Sequence, residues 1–153
     1  MRPSMRLLPA GPDQLEALLA MMRELQVDDP WEEPFDEEIL RPNLERLLGD
    51  PTIGLAFVAF EGDEAAGYLV VCFDYSLEYR GKGAWVDELF VKAAHRGRGI
   101  GTQLLDLAED ASRRAGAKVL HLEVNRGNPA RELYRRRGFS EHQRFLMTKR
   151  LDG

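Results

Sequence analysis

Arg96-Gly97-Arg98-Gly99-Ile100-Gly101-Thr102 is the segment of this 153-residue chain whose residue types and spacing point most directly to chemistry. It follows the strand-like stretch WVDELFV and opens a run with Leu104, Leu105, Leu107, Ala108 and Ala111 at helical spacing. A helix that starts there presents unpaired N–H groups and about half a positive charge. Glycines, lacking Cβ, let an anion come close to those groups, and Arg96 and Arg98 add charge and donors. The chemistry suggested is phosphate or pyrophosphate binding. The Gly-Lys-Ser/Thr start of a Walker A helix is missing. The dinucleotide pattern G-x-G-x-x-G fits from Gly97, except that Thr102 stands where its third glycine belongs. Glu123, at the end of the next strand, could imitate the ribose-binding acid, so a nucleotide- or dinucleotide-binding module is one open reading.

The elements that must position this loop are legible as hydrophobic patterns. Met5–Leu8 reads as a first strand, and Leu15, Leu18, Leu19, Met22 and Leu25 as a helix. Ile39, Leu40, Leu44, Leu47 and Leu48 mark a second helix, closed by Gly49 and Pro51. Leu55–Phe60, Gly67–Phe73 and Ala84–Val91 read as strands joined by glycine turns. After the loop come a helix from Thr102 to about Arg114, a strand at Val119–Val124, a short helix from Pro129 to Arg137, and a closing strand at Phe145–Lys149. The order predicts a mixed α/β sheet with helices packed on it. No linker interrupts it, so one domain spanning residues 1–153 is expected.

Composition narrows the setting. At 44% hydrophobic and 31% charged residues, a packed globule is expected rather than disorder. No apolar run reaches the ~20 residues of a membrane span, and the N-terminus lacks a signal-peptide core, so neither membrane nor secretion is expected. Cys72 is the only cysteine and the histidines are His95, His121 and His142, scattered along the chain. A metal site is not expected, and a reducing cytoplasm is the natural setting. Charge is divided sharply. Up to Phe90 there are 7 Lys/Arg against 19 Asp/Glu, and beyond it 14 against 7. That division suits two ligands of opposite charge.

Arg96, Gly99 and Gly101 also satisfy R-x-x-G-x-G, which resembles the acetyl-coenzyme A loop of the GCN5-related N-acetyltransferase (GNAT) superfamily. A second segment, Asn128-Pro129-Ala130-Arg131-Glu132-Leu133-Tyr134 through Gly138-Phe139, resembles that superfamily's N-x-x-A-x-x-L-Y-x-x-x-G-F. Asn128 precedes Ala130 by two positions instead of three, and Asn125 lies at the strand end, so either Asn could face the cofactor. Val86–Val91 is more loosely similar to the E-D-[I/L]-[Y/F]-V segment of diamine and polyamine acetyltransferases, with Asp87 and Glu88 in swapped order. The resemblance implies a mostly antiparallel sheet flanked by about four helices and splayed between two parallel strands, Trp85–Val91 and Val119–Asn125. It implies acetyl-CoA as donor, an amine as acceptor, and often a homodimer, with Phe145–Met147 as a candidate edge. It also implies that the backbone of Leu89, Phe90 and Val91 meets the acetyl group and pantetheine arm.

Amide formation from a thioester needs a neutral amine, and a free alkyl amine is mostly protonated at neutral pH. Asp87 and Glu88 are the candidate proton acceptors, and strand alternation would point them to opposite faces unless a bulge intervenes. Tyr134 is a candidate donor to the leaving thiolate. Direct transfer in a ternary complex is expected over a covalent enzyme intermediate. The connector Asp28–Glu38 holds seven acids, among them Glu32, with Trp31 and Phe35 between them. With Phe73 and Tyr75 as a further wall, it would attract a small cationic amine such as a diamine or polyamine. Nucleic acid is a poor partner for so acidic a half. A non-catalytic acyl-CoA-binding regulator stays open as a third reading.

Overall fold

The structure, a computed structural model, describes residues 4–152. The described residues up to Leu122 form one compact unit, and those from Glu123 onward form a second.

The first unit is built on five strands: β1 (Met5–Pro9), β2 (Gly54–Glu61), β3 (Glu64–Ser76), β4 (Gly81–Val91) and β5 (Leu120–Leu122). They lie side by side in chain order, antiparallel except for the parallel pair β4–β5. Helix α1 (Leu15–Asp28) and helix α2 (Glu37–Gly49) cover one face. Leu18, Leu19, Met21, Met22 and Leu25 of α1 and Leu44 of α2 pack there against Ala56, Val58, Tyr68, Val70 and Phe90. Burying the five α1 side chains contributes on the order of 10 kcal/mol before chain entropy is counted, which anchors the end of α1 over the sheet. Helix α3 (Ile100–Arg114) packs on β2, β3 and β4, with Leu104, Leu105 and Ala108 buried. Phe57, Leu69 and Val71 alternate with the α1-facing residues and so turn toward α3. With helices on both faces, the middle of β2 and β3 is apolar at successive positions.

Two irregularities shape β4. Val70 pairs with Glu88 but Val71 pairs with Val86, so Asp87 is an extra residue, a β-bulge. On the other edge, the ladder to β5 joins only Ala84–Val86 to Leu120–Leu122. From Asp87 to Val91 that edge of β4 has no strand beside it among the described residues. Of the parallel strand expected at Val119–Val124, Leu120–Leu122 forms the ladder.

The second unit contains helix α4 (Ala130–Arg136). Asn128 starts it: its side-chain oxygen accepts from the Ala130 N–H at 2.9 Å, and its own N–H donates to the Asn125 carbonyl at 2.9 Å. Arg131 and Arg135 both donate to Glu141, at 2.5 and 2.6 Å, and hold its carboxyl down to about 2. The closing strand expected at Phe145–Lys149 does not form. A strand exists only with a ladder partner, and the described residues of this unit contain no strand for the segment to join.

Candidate active site

Glu88 is the carboxyl of the sheet that is pushed furthest upward. The Tyr68 hydroxyl, fully buried beneath α1 and α2, donates to its Oε1 at 2.9 Å. Burial pushes the Glu88 carboxyl up to about 7. The Tyr68 hydrogen bond and the nearby Trp31 side chain oppose the shift, and the charges of Asp87 and Asp29 add to it. Tyr68 is raised in turn, first by burial and then by Glu88. Asp87 is exposed by surface area, yet enough protein surrounds it to raise its carboxyl as well. The bulge breaks the alternation that would have turned the two acids to opposite faces. Asp87 acts electrostatically on Glu88, Tyr68 and Cys72 together, and burial first, then these two acids, push the Cys72 thiol up to about 11.

The connector between α1 and α2 supplies the lid of this corner. The Trp31 N–H donates to Gln26 Oε1 at 3.0 Å, which folds the chain back over the end of α1. The Trp31 and Phe35 rings meet at 5.8 Å, and Phe35 packs on the core. Glu32 is exposed. Asp36 caps α2 by accepting from the Glu38 N–H. Phe73 and Tyr75 do not join this group. They alternate with Cys72 and Asp74, and Lys82, which donates to the Ala115 carbonyl after α3, lies 4.1 Å over the Phe73 ring. They therefore belong to the α3 face. The Glu88 face holds Trp85 in their place, its indole N–H donating to Asp74 at 2.9 Å and its ring 4.7 Å from His121.

Beyond β4 the chain makes a 3₁₀ turn at Ala93–His95 and enters the glycine loop. Gly97 and Gly99 have φ of 78° and 79°, and Gly99 is the N-cap of α3. A Cβ at either glycine would meet nothing within 4 Å, so open space lies against the backbone. Helix geometry leaves the N–H groups of Ile100, Gly101 and Thr102 without intrahelical acceptors. A concavity of about 630 Å³ is lined by Glu61, Ala94, Arg96, Gly97 and Arg98. The two arginines are engaged within the protein. Arg96 donates to the Val91 carbonyl at 2.8 Å and to Asp28, the last residue of α1, at 2.9 Å. Arg98 donates through both terminal nitrogens to Glu61, at 2.8 Å for the longer bond. His95 Nδ1 lies 2.5 Å from the same carboxylate. Arg98 and then His95 hold the Glu61 carboxyl down to about 2.

Tyr134, Asn125 and Asn128 stand in the second unit. The Tyr134 ring packs edge-on to Phe139 at 5.9 Å, and burial raises its hydroxyl. Tyr68 and Glu61 were not among the expected site residues, and Asp28, expected only as one of the connector's seven acids, pairs with Arg96. A tyrosine inside the apolar run Tyr68–Val71 was a signal, since a buried phenol requires a partner. Glu61 carries no such signal, because it stands beside Gly62 and Asp63 where a turn is expected. Among the described residues no group of three or more His, Cys, Asp or Glu could hold a metal ion, and no helix is long and apolar enough to cross a membrane.

Comparison with known proteins places this geometry. The family model for the acetyltransferase (GNAT) family matches residues 18–139. Streptothricin acetyltransferase of Streptomyces lavendulae is 32% identical over 126 residues, which is 78% of this chain and 62% of that protein. The chain thus spans under two thirds of that relative's length. Aminoalkylphosphonate N-acetyltransferase of Salmonella typhimurium is 28% identical over 91% of this chain and 84% of its own. An integron cassette protein from the mobile metagenome of Cole Harbour Salt Marsh has the same fold, with a TM-score of 0.83 at 27% identity, covering 96% of this chain and 91% of its own. A sheet open beside a bulged β4, a glycine loop at the mouth of α3, and this match over most of the chain lead to one conclusion: the protein belongs to the acetyltransferase (GNAT) family.

Proposed function

We propose that this protein moves an acetyl group from acetyl-CoA to a primary amine, with donor and acceptor bound together. The observation that carries the reading is Glu88. It is a carboxyl raised to about 7, bonded to Tyr68, on the strand that leads into an open glycine loop. General bases work best with a pKa near the operating pH.

The loop fits a diphosphate. Gly97 and Gly99 leave space against the backbone, and the free N–H groups of Ile100, Gly101 and Thr102 point out of the helix end. Arg96, half-exposed and paired with Asp28, adds a cation that can turn to phosphate. The edge of β4 at Leu89, Phe90 and Val91 has no strand beside it among the described residues and offers main-chain groups to an extended ligand, in the manner of an added strand, with the Val91 carbonyl released when Arg96 turns to phosphate. When bound, acetyl-CoA supplies an activated thioester. Glu88 accepts the ammonium proton, directly or through water, with Asp87 beside it. The amine nitrogen then bonds to the acetyl carbon as the C–S bond breaks, and the nitrogen's second proton passes to water; the departing thiolate takes a proton from Tyr134, which regains one from water. Tyr134's role is supported by the segment it shares with the family. Asn125 or Asn128 contributes as well, Asn128 through its backbone, since its side-chain oxygen accepts from the Ala130 N–H.

The acceptor is a small cationic amine. Trp31 reaches Glu88, and Phe35 and exposed Glu32 stand beside Trp31 in an acid-rich connector. The named relatives act on streptothricin and on aminoalkylphosphonates, both amines, so the screen must include antibiotics and aminophosphonates beside di- and polyamines. Thiol release from acetyl-CoA across such a panel tests the reading. Release with a diamine or polyamine above the rate with a neutral-tailed monoamine is expected. No release with any amine would overturn it.

A further inference from the structure

The loop that would receive the coenzyme contains two residues in the left-handed region, Gly97 and Gly99, and glycine is the residue with the most backbone freedom. Its N–H groups are useful only if held in one arrangement, because binding otherwise costs the entropy of ordering them. The one side chain between the two glycines is Arg98. Its guanidinium is gripped by both oxygens of Glu61 from the end of β2, a rigid position paired to Met5 of β1 and Glu64 of β3. The same carboxylate meets His95, in the turn just before the loop. The Glu61 side chain is 10% exposed and that of His95 is 8% exposed, so water competes little for these bonds. Arg98 Nε is buried without a hydrogen-bond partner, a cost that marks a side chain held in place.

We propose that Glu61 is a positioning residue for coenzyme binding: its carboxylate ties Arg98 and His95 to the sheet and so sets the N–H groups of Gly97–Thr102 for the diphosphate. Arg98 is then a strut of the loop and not a phosphate ligand. This rests on the acetyl-CoA reading above.

The test is acetyl-CoA affinity by calorimetry and the split of KM from kcat in Glu61→Gln, Arg98→Ala and the double variant, each with its melting temperature. Glu61→Gln is expected to weaken acetyl-CoA binding about tenfold, with the loss in KM for acetyl-CoA exceeding that in kcat. The double variant should bind no worse than the weaker single one, because both break the same tie. Glu61→Asp, which keeps the charge but shortens the reach, should also bind more weakly, and it replaces Glu61→Gln if that protein does not fold. Wild-type affinity in a folded Glu61 variant, whatever its melting temperature, overturns the proposal. So do additive losses in the double variant, which would make Arg98 a ligand in its own right. A wild-type protein that binds no acetyl-CoA overturns the acetyltransferase reading instead.

Discussion

Glu88 links three measurable properties at the residue scale. A carboxyl accepts a proton only when ionised, so kcat/KM for the amine should rise with pH through an apparent pKa near 7. Glu88→Gln should remove that rise and lower kcat by about 10²–10⁴-fold, and Tyr134→Phe should lower kcat within the same range while leaving the rise in place. Full turnover in either variant would remove that residue from the chemistry. Stability should move the other way. The folded pKa of Glu88 lies above its ordinary 4.5, so folding favours the protonated form. That contribution is complete below about pH 4.5 and is lost as pH climbs through 7. Glu88→Gln cannot ionise, so it should be more stable than wild type at pH 8, by up to about 3 kcal/mol, with the gap closing toward pH 4. Thermal unfolding of both proteins across that range checks the sign.

The bulge and the glycine turn do their work at the element scale. One extra residue in β4 gathers Asp87 and Glu88 around Tyr68 and coincides with the end of the β5 ladder. The turn before α3 depends on Gly99 at φ 79°. Gly99→Ala meets no steric neighbour, so its cost is conformational alone, about 1–2 kcal/mol. That should lower the melting temperature by roughly 3–6 °C and weaken acetyl-CoA binding, because the Cβ would stand in the space proposed for the diphosphate. Unchanged affinity by calorimetry would place the diphosphate elsewhere. Asp28 adds a link between elements: as the last residue of α1 it holds Arg96, so the acidic connector and the glycine loop share an ion pair.

Charge is the property that belongs to the whole molecule. The acidic majority up to Phe90 and the basic majority beyond it suit the proposed cationic acceptor and anionic donor. Neutralising the connector with Asp29→Asn, Glu32→Gln and Glu33→Gln should raise KM for a diamine by about tenfold at low salt. The effect should shrink toward 1 M salt, where the screening length is about 3 Å, and should be small for a neutral-tailed monoamine. Equal effects on both amines would argue that the connector acts by folding and not by attraction.

The sequence by itself determined what is local. The glycine loop, the helix after it, the apolar strands and the α4 segment all follow from spacing and backbone preference within a few residues, and the family resemblance rests on those same segments. Tertiary structure decided what depends on pairing. Whether Asp87 and Glu88 lie together depends on register with β3, and alternation assumes an unbroken ladder. Phe73 and Tyr75 could be read as sharing one face, but which helices cover that face is set only when the sheet packs. Phe145–Lys149 has strand composition and no ladder. The tie between Glu61 and Arg98 crosses 37 positions, and no pattern in a one-dimensional sequence marks two charges that meet only after β2 and the loop are folded side by side.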